Sequence, residues 1–367
     1  MKKTLFLAFL LASACCAVAQ EALLRPGFDA REYRDLLAMN FNTYDSLQRA
    51  SGEAVRFRRT YTSRVTGLDN RWFLWQAADA PVAVLCIRGT VATKWSWLAN
   101  LYSEMQPAAG TLQLDDSTRV DYRLAAAEGA AVHTGWLIAL ASMSGDIERK
   151  IRELYDKGTR AIYVTGHSQG GVLAALLRSW LHYRTLQGAL PAGITYKTYS
   201  SAGPKPGNLQ FAYDYDFINR GGWAFNVVNA ADWVPETPLS LQQIRDLNPN
   251  NPLADVKGAL RNQKLVVRLY GAMMYNKLTR KSRKAVGKYQ KYFGGRVGKE
   301  VRKKLPALRL PGATPGLDYM RAGGAVVLMP DSAYYRQYPN DTSGLGVWKH
   351  HTFGAYLTLL RKDYLQP

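Results

Sequence analysis

Apolar residues along this chain follow two rhythms: short unbroken runs, and stripes spaced three and four positions apart. Unbroken runs at Val82 to Ile87, Ala161 to Thr165, Ile194 to Ser200 and Phe225 to Asn229 predict strands, and a continuous run is what a strand covered on both faces requires. Arg56 to Thr62 and Arg71 to Gln76 predict two more strands around a turn containing Gly67, Asp69 and Asn70, and Val120 to Leu124 predicts a weaker one. Striped segments predict helices. Tyr33, Leu36, Leu37, Phe41 and Tyr44 share a face over Phe28 to Leu47, with Asp29 and Glu32 as a capping-box pair. Leu137, Leu140, Ile147, Ile151 and Leu154 mark a second helix that Gly158 ends, and a third runs from Gly170 to about Tyr183. Such alternation predicts an α/β fold, with a mostly parallel sheet flanked by helices. No internal repeat interrupts it.

Composition changes this picture at two places. Lys2 and Lys3, the apolar run Leu5 to Ala12 and the small residues Ala17-Val18-Ala19 read as a leader cleaved before Gln20. The expected organisation is therefore a signal peptide over residues 1–19 and one domain over 20–367, exported to a periplasmic or extracellular space. Lipoprotein anchoring at Cys15 is the alternative. Cys15 and Cys16 leave with the leader, so Cys86 has no internal disulfide partner and reads as a buried strand residue.

The net charge of +20 invites a nucleic-acid or anionic-membrane reading. Its location narrows that reading. Lys257 to Arg309 holds 17 Lys+Arg and one acid, Glu300, while the rest of the mature chain carries only +2. Apolar residues are interleaved: Leu265, Val266, Leu269, Met273 and Met274, then Ala285, Tyr289, Tyr292, Phe293, Val297 and Val301. The segment reads as a basic amphipathic helical hairpin inserted in the domain. A solvated insertion packed on the domain and a device attracted to an anionic membrane surface both fit it. Nucleic acid is not an expected partner, since no recognised module is present.

Candidate chemistry centres on Ile162-Tyr163-Val164-Thr165-Gly166-His167-Ser168-Gln169-Gly170-Gly171. Here a strand runs into Gly-x-Ser-x-Gly and a helix follows, the setting in which a serine hydroxyl is held exposed on a tight turn. The helix start places the Gln169 backbone N–H where it can stabilise an oxyanion. A serine needs a base. Of the five histidines, His167 lies inside the turn, His182 within the following helix and His133 upstream, which leaves His350 or His351. An acid is expected after a strand between serine and histidine. Asp232 follows Trp223 to Asn229, whereas Asp214 and Asp216 fall in a predicted helix.

These blocks resemble the class 3 lipases, the family of the fungal triacylglycerol lipases and plant acyl-hydrolases. Ile162 to Gly171 fits the family's serine pattern, and Val84 to Thr90 resembles the strand ending in Arg-Gly-Ser/Thr that forms its oxyanion loop. Trp97 to Leu101, Val132 to Trp136, Gly203 to Asn208 and Asn229 to Pro235 match further stretches in the right order. The likeness runs from about residue 80 to 238 and resumes near 347. It implies an α/β-hydrolase fold and a catalytic triad of Ser168, Asp232 and His351. His351 is favoured over His350 because it precedes Tyr356 by five residues, as in the plant branch. Thr90 and Gln169 would form the oxyanion hole, and Val91 to Trp97 would be a lid. The implied activity is hydrolysis of fatty-acyl esters of acylglycerols or phospholipids, as a lipase, carboxylesterase or phospholipase, with no cofactor and no metal. A serine peptidase or amidase, or a non-catalytic lipid-surface protein, are the other readings. The chain departs from the family in the interval of 119 positions from Asp232 to His351, about twice what the resemblance implies, and the basic segment accounts for most of the surplus.

Overall fold

The structure, a computed structural model, describes residues 23–42, 56–248, 250, 251, 253 and 255–365. The leader with Cys15 and Cys16, and the first predicted helix beyond Asn42, lie outside these residues. The strands in chain order are β1 (Phe57–Thr62), β2 (Trp72–Ala77), β3 (Val82–Ile87), β4 (Met105–Pro107), β5 (Ala109–Gln113) and β6 (Arg119–Arg123). After them come β7 (Ala131–His133), β8 (Ala161–His167), β9 (Thr195–Ser201), β10 (Ala224–Asn229) and β11 (Gly324–Leu328). Seven of them form the main sheet in the order β1-β2-β3-β8-β9-β10-β11. The β1, β2 and β3 neighbours are antiparallel, and from β3 to β11 every pairing is parallel.

Every residue of β3 and β8 is buried, which is why both are unbroken apolar runs. Alternate positions serve two cores. Ala83, Leu85, Ile87, Ile162 and Val164 face a cluster built with the helices Thr134–Asp156 and Gln169–Leu186. Val82, Val84, Cys86, Ala161 and Tyr163 face one built with Ala30–Phe41 and Phe353–Tyr364. The expected sheet with helices on both faces is thus observed. Cys86 is buried and free, burial pushes its thiol up, and it lies 3.2 Å from Asn40 Oδ1.

The structure adds to or departs from the expected elements at four places. The weak strand near Val120 forms β6, but it pairs only with β5 in a separate ribbon. The edge strand β11 was not predicted, although Ala325 to Met329 is an unbroken apolar run. Asp29 caps its helix by accepting from the N–H groups of Arg31 and Glu32, but Glu32 does not complete the capping box. Its carboxylate instead accepts from Tyr163 Oη, Tyr199 Oη and Lys197 Nζ, each at 2.6 Å, because the buried Lys197 ammonium requires a counter-charge. Finally, the basic segment is not a hairpin of two long helices. A short helix, Val256–Arg261, precedes a continuous helical rod made of Leu265–Tyr289, a π-helical stretch Gln290–Arg296 and Val297–Lys304. Gly294 and Gly295 widen the helix there rather than ending it. A Cβ on Gly294 would meet the Glu104 carboxylate, so any larger residue there requires that side chain to move.

Candidate active site

Ser168 occupies the sharp turn between β8 and the helix Gln169–Leu186, with φ 61° and ψ −126°. A non-glycine residue there is strained, and the surrounding packing holds it. A Cβ on Gly166 would strike the Gly170 carbonyl, and one on Gly170 would strike the Ile87 carbonyl, so strand, turn and helix approach closely only with glycine at both places. Ser168 N–H donates to Ser201 O at 2.9 Å, and Ser168 O accepts from Gly171 N–H at 2.9 Å.

Ser168 and His351 line one cavity of about 520 Å3. His351 Nδ1 lies 2.6 Å from Asp232 Oδ2, and its buried Nε2 has no hydrogen-bond partner within the protein. Asp232 is fully enclosed at its side chain and also accepts from Tyr356 Oη at 2.8 Å and Val234 N–H at 3.0 Å. Three donors on one carboxylate repay its desolvation and fix the imidazole that it faces. His350 is not at the cavity. Its Nδ1 lies 2.8 Å from Tyr334 Oη and its Nε2 3.0 Å from Asn340 Oδ1, so both ring nitrogens are engaged. Burial lowers its pKa, and the adjacent Lys349 adds to that while Asp232 opposes it.

The other histidines are scaffold. His167 Nδ1 lies 3.0 Å from Ser201 Oγ and its Nε2 3.0 Å from the His351 carbonyl, so the residue before the serine supports the backbone of His351. Burial drives its pKa well down, with His351 contributing in the same direction. His133 stacks on Trp136 with centroids 3.6 Å apart, contacts Asn100 O through Nε2 at 3.1 Å, and is lowered to about 3 by burial. His182 lies on the helix after the serine, beside Tyr183. Asp214 is committed elsewhere, accepting from Tyr183 Oη and the Ala126 N–H, and Asp216 accepts from Gly323 N–H.

Thr90, just past β3, and Gln169 also line the cavity. Both are tied to Asn100, whose Nδ2 donates to Thr90 Oγ1 at 2.9 Å while its Oδ1 accepts from Gln169 Nε2 at 2.7 Å and Trp136 Nε1 at 3.1 Å. The Gln169 side chain is thereby occupied, and its backbone N–H belongs to the first turn of a helix, where amides have no intrahelical acceptor. Sequence reasoning passed over Asn100. It lies near the end of the short helix Lys94–Leu101, half-buried at the cavity.

Val91, Ala92 and Trp97 form part of the cavity wall, as do Trp136, Trp233 and Trp348. Trp348 links the aromatic rim, 5.9 Å from Trp97 and 5.0 Å from Trp233 by ring centroids. The rest of the wall was not foreseen: Tyr289 and Phe293, from the basic rod, lie on the same cavity. Tyr289 Oη meets Ser103 Oγ at 2.5 Å, which roots the rod in that wall. Among the described residues no group of three or more His, Cys, Asp or Glu is gathered as metal ligands are.

A parallel sheet with antiparallel strands at one edge, and a strained serine at the carboxyl end of its central strand, define an α/β-hydrolase. Residues 84–242 match the family described as lipase (class 3), so the resemblance drawn from the sequence blocks holds over that stretch. Over 109 residues the chain is 31% identical to a secreted mono- and diacylglycerol lipase of Malassezia restricta, covering 29% of this chain and 34% of that one. The chain thus aligns with about a third of that relative's length. Among solved structures, the Rhizomucor miehei lipase propeptide complex has a TM-score of 0.42 at 19% identity, covering 58% of this chain and 65% of that chain. The lipase from Rhizopus microsporus var. chinensis has a TM-score of 0.39 at 21% identity, covering 57% and 68%.

Proposed function

We propose that this chain is an exported serine carboxylic-ester hydrolase of the lipase type, acting on fatty-acyl esters of acylglycerols or phospholipids. One observation carries the reading: the strained Ser168 shares an apolar cavity with an imidazole whose far nitrogen is held by a buried carboxylate at 2.6 Å. In the proposed reaction His351 Nε2 takes the Ser168 proton as Oγ attacks the ester carbonyl. Backbone N–H groups of Thr90 and Gln169 stabilise the oxyanion, and the alcohol leaves with the proton returned by His351. Water, activated by the same imidazole, then attacks the acyl-serine and releases the fatty acid. Asp232 holds the tautomer and stabilises the imidazolium.

The cavity favours acyl chains over peptides. Its wall is dominated by Trp97, Trp136, Trp233, Trp348, Leu101 and Phe293, and among the described residues lining it there is no Asp, Glu, Lys or Arg to read a charged peptide side chain. Val91 to Trp97 is the proposed lid, and residues 257–309 are proposed to bring the enzyme to an anionic lipid surface. Fluorophosphonate labelling and turnover of p-nitrophenyl esters of short and long chains test the reading against a peptide panel. Ser168→Ala is expected to abolish labelling and lower kcat by about 10⁶. Wild-type turnover in that variant would remove Ser168 from the mechanism.

A further inference from the structure

The rod that departs from the family also departs from the domain surface. Within Leu265–Tyr289 only Val286 is buried. Half-buried contacts recur at Ala272, Tyr275, Thr279, Ser282 and Tyr289, a spacing of three and four around Val286 that marks a single inward seam. The outward face is sorted along its length rather than around it. Its first turns show Leu265, Val266, Leu269, Tyr270, Met273 and Met274, all exposed, with Val266 at 77%. The turns that follow show Lys277, Arg280, Lys281, Arg283, Lys284 and Lys288, none ion-paired to a described residue. Ion pairs begin only at the foot, where Glu300 meets Lys94 at 2.7 Å and Lys304 meets Asp69 at 2.9 Å.

A solvated insertion does not account for this. Six large apolar side chains grouped on one exposed face need a cover. Water does not supply it, and neither does the seam, which faces the other way. We propose that the outward face of Leu265–Tyr289 docks obliquely on an anionic lipid surface: its apolar turns enter the acyl boundary and its cationic turns lie on the headgroups. Charge decides the occupant. A second copy would bring six like charges alongside these six, whereas anionic headgroups are complementary to them. Depth is limited as well. The apolar turns Leu265–Met274 extend about 15 Å, enough for shallow insertion but far short of a span. Among the described residues no helix is long and apolar enough to cross a membrane. At its foot the rod carries Tyr289 and Phe293 into the wall of the serine cavity, so a docked rod holds that cavity at the lipid. Only this last step, delivery of substrate, rests on the hydrolase reading; docking is read by binding alone.

The experiment is co-sedimentation of the full chain with sucrose-loaded vesicles of phosphatidylcholine, with and without phosphatidylglycerol. The wild type is expected to bind the anionic vesicles and to be released by high salt. Arg280→Gln, Lys281→Gln and Lys284→Gln together should weaken that binding on the order of 100-fold. Val266→Gln with Leu269→Gln should weaken it about tenfold or more with every cation in place. Leu186→Gln is the control: it is equally apolar and exposed, yet it lies at the end of the helix Gln169–Leu186 and not on the rod, and should change binding less than about twofold. All variants should retain the wild-type melting temperature and turnover of a soluble short-chain ester, since none lies in the site. Equal binding to neutral and anionic vesicles, equal loss in Leu186→Gln and in Val266→Gln with Leu269→Gln, or a dimer that the apolar variants dissociate without any vesicle binding, would each overturn the proposal. A chain that binds vesicles but neither hydrolyses esters nor takes fluorophosphonate would instead sink the hydrolase reading and leave docking intact.

Discussion

Asp232 receives three hydrogen bonds, and the one from Tyr356 is the least expected from the sequence. The tyrosine hydroxyl shares Oδ2 with the His351 nitrogen, so it positions the acceptor without touching the reacting atoms. Tyr356→Phe is expected to lower kcat about tenfold with KM nearly unchanged, as expected for a loss of about 1.4 kcal/mol of orientation. Asp232→Asn should cost about 10⁴ in kcat, because the amide presents the wrong partner to Nδ1. His350→Gln separates the neighbouring histidines: it should lower the melting temperature through the lost Tyr334 and Asn340 contacts while ester turnover per folded molecule holds. If His350→Gln silences turnover in folded protein and His351→Gln does not, the proposed base is the wrong residue.

At the level of elements, the proposed catalytic parts come from loops at the carboxyl ends of parallel strands. Thr90 follows β3, Ser168 follows β8, and Asp232 follows β10. Parallel pairing of β3, β8, β9 and β10 gathers these ends on one edge of the sheet, which is why segments distant in sequence meet there. The basic rod joins that edge from outside the strand pattern. Phe293→Ala is expected to reduce kcat/KM for long-chain esters about tenfold relative to a four-carbon ester, because it removes part of the wall the longer chain would touch. Equal effects on both esters would mean that the rod's foot does not line the acyl path. Gly294→Val should destabilise the docking of the rod, since its side chain would need the space of the Glu104 carboxylate.

For the whole molecule, buried histidines set an acid limit. His133, His167 and His350 are all lowered by burial, so each stays neutral in the fold where the unfolded chain binds a proton. Stability therefore falls as pH drops below about 6.5, and for His133 the loss continues to about 3. Each such group contributes up to about 1.4 kcal/mol per pH unit within its window. Burial raises Glu104, Asp216 and Asp318, which act in the opposite sense, so the informative quantity is a difference. His133→Asn is expected to narrow the gap between urea midpoints at pH 7 and pH 5 relative to wild type. An unchanged gap would show that His133 is not held neutral.

Much of this protein is legible one segment at a time. The central strands, the serine turn and Asp232 were all readable because their determinants are local: runs of apolar residues, glycines at a tight turn, an acid just past a strand. The family blocks between residues 84 and 242 were readable for the same reason. What had no local signal is whatever depends on packing between distant segments. Glu32 carries the spacing of a capping box, yet a buried lysine more than 160 positions away claims its carboxylate. His350 and His351 are alike in sequence, and only the fold gives one of them Asp232 and the other Tyr334. Gly294 gives no local sign of its role, and only the fold sets it against the Glu104 side chain. Composition fixed the amount of charge in residues 257–309, but the tertiary structure alone decided that its helix would leave a full face uncovered and set its foot in the serine cavity.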